Sequence, residues 1–478
     1  MLEIVILIPL LSGGAAFFLP TRPGRVTLVA AGLLHLTACI AAVGGFLPAM
    51  LPQYFAVTPL SGLVLIVTSF LYLMVAVYTI SYMKEIEMHA EPAFNGSMLL
   101  FLSAMSMAAI ADHIIVLWIA IEATTLTSAP LILLHKSKGA LEAAWKYVLI
   151  CSVGIALALL SAFFLILAMS RGGVEVPLTY SSLNGVAASL DPVWLKAAFI
   201  FAIIGYGTKM GLAPMHTWLP DAHSEAVSPA SALLSGALLN CAFLGVYKTH
   251  VLLISAGIGQ FSNHILIVFG LFSILVAGVF ILHQNDYKRM LAYSSIENMG
   301  IIAFGSGLGG LGAIGAIIHL IHHSLIKSSL FLTSGNILLG YGTKQIKQTK
   351  GMIHLLPGTA TAFFSAFIGI SGLPPFGLVI SELFIILGAL RTHHPVATII
   401  FVSGLLLVFS GACRHIMPMT FGNTETEVDD LLVPDKLPRL LPSYILLAVS
   451  ILLTFWMPEV LWEMIQQAAA LMGGGLHG

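Results

Sequence analysis

The chain has 478 residues, 58% of them hydrophobic and only 9% charged, with a formal net charge of −1. Soluble domains carry about 25% charged residues. That gap and a mean hydropathy of +0.99 exclude a soluble globular protein, because no face would be left for water. No basic patch exists to recruit nucleic acid.

Apolar runs of the ~20 residues that cross a bilayer recur from end to end. About fourteen spans are expected, near 2–20, 26–48, 58–82, 95–111, 113–134, 142–169, 193–219, 228–255, 263–283, 289–307, 311–340, 358–391, 395–419 and 441–466. Span 1 carries Glu3 and no basic leader, so it reads as a retained span. The whole chain reads as one all-α polytopic membrane domain. Residues 1–94 would form peripheral helices 1–3, 95–255 and 263–419 two five-helix units, and 441–466 a last helix. The loop from Asn423 to Arg439 and the residues His393, His394 and His477 read as surface. Cys39, Cys151, Cys241 and Cys413 are isolated in apolar segments, so disulfide, zinc and iron–sulfur ligation have no support.

Loop charge orients the chain. Of the 20 basic residues, 13 fall on the side reached after odd-numbered spans and 4 on the other, with Lys146, Lys209 and Lys327 inside spans. By the positive-inside rule the first side is cytoplasmic and both termini lie outside the cytoplasm.

Spans 7 and 12 are interrupted. Span 7 breaks at Gly211 to Pro220, and span 12 breaks in the run Gly369-Ile-Ser-Gly-Leu-Pro-Pro-Phe-Gly377. They lie five spans apart, so two five-helix units of opposite topology would place both breaks in equivalent positions. Paired broken helices point to a transport site in inverted-repeat transporters.

Charged groups inside the spans carry the chemistry. An embedded charge costs roughly 2.5–3.5 kcal/mol on insertion scales, so each asks for a function. Glu122 lies about ten residues into span 5, roughly 15 Å deep. Its natural partner is Lys209, which ends the first half of span 7 just before the break and its histidines, His216 and His223. Such a pair could be a static ion pair, or could hold and release a proton according to its separation. Glu142 and Lys146 form an i,i+4 pair at the start of span 6, where Lys146 could also snorkel. In span 11, His319, His323 and Lys327 share one face at i,i+4,i+8, with His322 adjacent. Histidines exchange protons near neutrality, so this cluster reads as a proton relay, with a structural hydrogen-bond cluster and a metal site as competitors. The cationic Lys327 argues against metal. Glu382 follows the second break. Glu297 in span 10 could be embedded or could pair at the interface with Lys288 or Arg289. Lys248 in span 8 could snorkel outward.

The run from Lys209 through Trp218-Leu219-Pro220-Asp221-Ala222-His223 resembles a signature of the antiporter-like proton-channel subunits of respiratory complex I, group 4 membrane-bound hydrogenases and multi-subunit cation antiporters. A second signature, Asp286-Tyr287-Lys288-Arg289-Met290-Leu291-Ala292-Tyr293-Ser294-Ser295-Ile296, is similar to theirs as well. Asn240-Cys241-Ala242-Phe243 and the span 11 cluster resemble the hydrogenase-4 component F branch. The resemblance implies a non-redox subunit without a cofactor, not catalytic alone. It would sit in the prokaryotic plasma (inner) membrane beside sister antiporter-like subunits, while a peripheral module transfers electrons. It implies that Glu122, Lys209, His319, His323, Lys327 and Glu382 stand at the family's proton-path positions. One departure is Asn240, where members usually carry a central lysine in span 8; Lys248 lies two turns further on and cannot be assumed to replace it. A sodium/proton antiporter subunit of the multi-subunit type is the alternative within the same resemblance. A membrane platform that only docks an enzyme is the other.

Overall fold

The computed structural model describes residues 1–86, 90–135, 137–423 and 432–473. Lys136, part of the 423–439 loop and His477 lie outside them. Among the described residues, eleven helices are long and apolar enough to cross a membrane. They supply spans 2–9, 11, 13 and 14. Span 1 is the shorter helix Ile4–Ala16, span 10 is Tyr287–Leu308, and span 12 is the pair Pro357–Ile370 and Leu378–Arg391. Span 10 falls short on hydropathy alone, because Ser294, Ser295, Glu297 and Asn298 are all buried within it.

Spans 8 (Ser228–Ser255) and 11 (Gly310–Tyr341) are buried throughout their most apolar stretches and form the centre. Span 8 contains a π-helical stretch at Leu234–Leu238, a feature that often marks functional sites. In spans 2, 13 and 14 only about a third of the residues in the most apolar stretch are buried, and these spans form the rim. Span 3 is an exception to the expected periphery. It is largely buried and packs on spans 11 and 14.

The breaks follow from their residues. The first half of span 7, Pro192–Met210, ends at Gly211, whose φ of +85° is left-handed and suits only glycine without strain. Pro214 donates no hydrogen bond, and helix resumes at Trp218–Glu225. The freed backbone groups are matched inside the protein, as membrane depth demands. The Trp218 indole donates to Thr208 O at 2.8 Å, and Ala213 N–H donates to Ser273 Oγ at 2.9 Å. In span 12 the first half ends at Ile370, Gly372 turns at φ +67°, and Pro374-Pro375 precedes the second half. Both breaks contain a cis X-Pro peptide, Ala213-Pro214 and Pro374-Pro375.

The stretch 441–466, expected as one span, is two helices. Span 14 is Leu437–Phe455, and an amphipathic helix, Glu459–Ala470, follows it. Pro458 separates them because it cannot continue the hydrogen-bond ladder. Tyr247 in the second half of span 8 donates to Ala468 O at 3.0 Å, tying this helix to the membrane core.

Candidate functional site

Lys209 is fully buried. Its ammonium donates to Tyr147 OH at 2.6 Å and Thr125 Oγ1 at 2.8 Å. It lies 4.4 Å from the Tyr147 ring centre and 5.9 Å from that of Trp218, an aromatic setting that favours a cation. Tyr147 is linked in turn to Ser128 Oγ at 2.6 Å. A hydroxyl can both give and accept a hydrogen bond, so this cage suits lysine with or without its extra proton.

The expected contact between Lys209 and Glu122 is not made. Glu122 accepts from Ser152 Oγ at 2.8 Å and is half-buried, with Oε2 unpartnered. It sits on the flank of span 5 between exposed Ile119 and Leu126, within electrostatic range of Lys209.

A second group gathers around span 11. Lys327 donates to Leu291 O at 2.7 Å. His319 bonds Ser381 Oγ through Nδ1 and Asn298 Oδ1 through Nε2, both at 2.9 Å. Span 11 is thereby tied to spans 12 and 10. His323 stacks on His319 with ring centres 6.5 Å apart, and both its nitrogens are unpartnered. His322 points elsewhere, to Ser450 of span 14 at 2.9 Å. Glu297 is 5% exposed, with Ser294 Oγ and Asn298 Nδ2 at 3.4 Å. It feels both Lys327 and Glu382. The alternative of an interfacial pair with Lys288 or Arg289 is therefore overturned, because the helical turn that carries Glu297 faces inward. Arg289 binds Asp221 at 2.8 Å instead, and Lys288, counted as a loop residue, is buried against Ala226 O at 2.5 Å. Glu382 is half-buried, and its carboxylate lies against Gly372.

His223 lies beside the second group. It is fully buried, stacks on Phe331 at 4.7 Å, has both nitrogens free and feels Lys288 and Lys327. Asn240, buried in span 8, forms a neutral bridge, donating to Ser324 Oγ at 2.6 Å and Gly236 O at 3.0 Å. Nearby, Ser235 and Ser295 link spans 8 and 10 at 2.8 Å.

Four expected residues stand apart. His216 packs between Phe280 and Tyr293, with centroids 6.4 and 6.2 Å away. Glu142 and Lys146 form a 2.6 Å pair on the surface, and Lys146 reaches Asp221 at 3.3 Å. They line a cleft of about 180 Å³ on the lysine-rich face. Lys248 does not snorkel; it is 4% exposed and donates to Ala111 O. Sequence reading also passed over Asp112, His250 and His35. Each is a lone polar group in or beside an apolar run, which is the signal that could have flagged it. His35 is fully buried between Ser69 and Ser106 at 2.7 and 2.8 Å.

A family model described as "NADH:quinone oxidoreductase/Mrp antiporter, TM" matches residues 111–408. The chain belongs to this family. Its antiporter-like subunits include the hydrogenase-4 component F homolog of Methylacidiphilum infernorum (isolate V4), 33% identical over 379 residues, covering 77% of this chain and 79% of that one. Hydrogenase-4 component B of Escherichia coli is 30% identical over 336 residues, 68% of this chain and 49% of the relative, so the chain spans about half of that protein. Two solved structures share the fold. The Mrp complex from Dietzia sp. DQ12-45-1b superposes with a TM-score of 0.85 at 21% identity, covering 98% of this chain and 96% of that one. The membrane-bound sulfane sulfur reductase, an archaeal respiratory membrane complex, superposes at 0.86 and 20% identity, covering 99% and 98%. These relatives belong to multi-subunit membrane complexes, and this antiporter-like subunit shares their polytopic form.

Proposed function

We propose that this subunit carries protons across the cell's inner membrane within a redox-driven complex of the hydrogenase-4 or NADH:quinone oxidoreductase type. Electrons would move in a peripheral module and sister antiporter-like subunits would sit beside it. The observation that carries the reading is the set of buried or half-buried titratable side chains, none of them in an ion pair among the described residues: Lys209, His223, Lys327, His323, His319, Glu297 and Glu382. Each embedded charge is costly, and a docking platform needs none of them.

In this reading the two breaks centre two five-helix units of opposite topology, and the lysine-rich face is cytoplasmic. Protons enter by the span 7 break, load Lys209, cross by His223 and the span 11 cluster, and leave at Glu382. Histidines supply donor and acceptor nitrogens for such hops. Glu122, half-buried on the flank, feels both Lys209 and a neighbouring subunit. Movement of a charge in that neighbour therefore changes how tightly Lys209 holds its proton.

The test is proton uptake by inverted vesicles carrying the whole complex, wild type beside Lys209→Met, with assembly checked on a native gel. Uptake lost in an assembled variant supports the reading. Normal uptake overturns it. Uptake that requires sodium moves the chain to the cation-antiporter alternative.

A further inference from the structure

On the face opposite the lysine-rich one, a second pair of buried charges lies outside the set just described. Asp112 is 3% exposed and Lys248 4%. Asp112 sits in the three-residue linker between spans 4 and 5, and Lys248 lies near the outer end of span 8. The linker is held from both sides by backbone pairing. Asp112 N–H donates to Tyr54 O at 2.8 Å and Tyr180 N–H donates to Asp112 O at 3.0 Å, while Ile114 N–H donates to Leu178 O at 3.1 Å. This rigid frame turns the Asp112 side chain inward, where its Oδ2 accepts from Ser181 Oγ. Ser181 belongs to a short surface helix, Tyr180–Gly185, that covers the pair.

The two charges feel each other but do not touch. Among the described residues they form no ion pair, and the Lys248 ammonium meets one acceptor, Ala111 O. An ammonium has three donors, so two remain to be met. Buried polar groups are met by protein or by water, and the space between a lysine and a carboxylate that fail to pair is where water belongs. Tyr180 completes the surround. Its ring lies 5.6 Å from Lys248 Nζ, and its hydroxyl is 3.4 Å from Thr249 Oγ1. Burial pushes that hydroxyl up to about 12, so it stays protonated. Half-buried His113 leads from Asp112 to the surface. Eight residues separate Lys248 from Asn240, about 12 Å along span 8, so this site is distinct from the central bridge.

We propose that Asp112 and Lys248 form a second proton-release site, in the first five-helix unit on the outer face, that works in parallel with the exit at Glu382. The inference rests on the proton-carrying reading above. The Lys248 ammonium gives up one Nζ–H proton through water to the Asp112 carboxylate. The carboxyl then releases it to the outer medium, and the neutral amine takes the next proton from within. A purely structural lysine would need only its charge and its bond to Ala111 O.

Lys248→Arg separates these roles. Arginine keeps the charge and the donor but does not deprotonate in proteins. In inverted vesicles bearing the assembled complex, the expected result is about twofold slower proton uptake in Lys248→Arg, with Asp112→Asn similarly slow, because the exit at Glu382 stays open. Lys209→Met runs alongside. Slow uptake in Lys209→Met with normal uptake in Lys248→Arg overturns the release site and leaves the proton-carrying reading standing. Normal uptake in all three overturns both. A second measurement needs no transport: Lys248→Cys should react with a small, membrane-impermeant cationic thiol reagent added from the outer face, above the background of the native cysteines. No reaction from that face overturns the proposal.

Discussion

The two broken helices share a backbone device and differ in what they hold. At the first, a lysine is sealed from solvent and caged by the hydroxyls of Tyr147 and Thr125. At the second, a carboxylate is half-buried and rests against a glycine, with the neighbouring histidine wired to Ser381 and Asn298. A caged amine can take up a proton without rearranging its surroundings, and a half-buried acid can lose one to water. In the proposed path, the pairing of a base at one break and an acid at the other would give proton movement a direction that two identical sites would lack.

Four substitutions break or sharpen this comparison. Lys209→Arg should have the largest effect. It keeps the cation of the first break but removes its ability to release a proton, so uptake should stop while native gels show intact complex. Retained uptake would mean that Lys209 serves only as a fixed charge. Tyr147→Phe should come next. It leaves a buried lysine donor unmet, at about 1–3 kcal/mol, or roughly 5- to 150-fold slower uptake. Gly372→Ala attacks the second break. The left-handed turn adds about 1–2 kcal/mol for a residue with a Cβ, and that Cβ would overlap the Glu382 carboxylate. Uptake should fall roughly 5- to 30-fold, with a lower melting temperature of the complex. Ser450→Ala should be the mildest. It removes one hydrogen bond to His322, about 0.5–1.5 kcal/mol, and uptake should slow by roughly two- to twelvefold. An effect of Ser450→Ala larger than that of Tyr147→Phe would show that the second break, not the first, limits the rate.

The order of these effects was not visible in the chain itself. Lys209 and the span 11 face could be found because a charge in an apolar run and an i,i+4,i+8 spacing are local patterns. Tyr147 and Ser450 could not, because one hydroxyl in a helix looks like any other until a neighbour packs against it. Asn298 and Ser381 were overlooked for the same reason, although each holds one nitrogen of His319. Lys248 and Lys288 were misjudged in the opposite direction. Lysine stems are long enough to snorkel, and only the packing of the linker at Ala111 and the end of span 7 at Ala226 provides carbonyls that keep them inside.

The sequence by itself determined the solvent, the number and order of the spans, the charge asymmetry of the two faces and the positions of both breaks. These follow from hydropathy and from the absence of a donor at proline and of a Cβ at glycine, all properties of short stretches of chain. Tertiary structure alone decided which groups meet. It parted Glu122 from Lys209, drew Glu297 toward Lys327 and Glu382, closed Asp112 and Lys248 beneath one surface helix, and split the last apolar stretch into a span and an amphipathic helix. Contacts of that kind depend on how helices far apart in sequence pack, and a buried charge takes whichever partner that packing brings within reach.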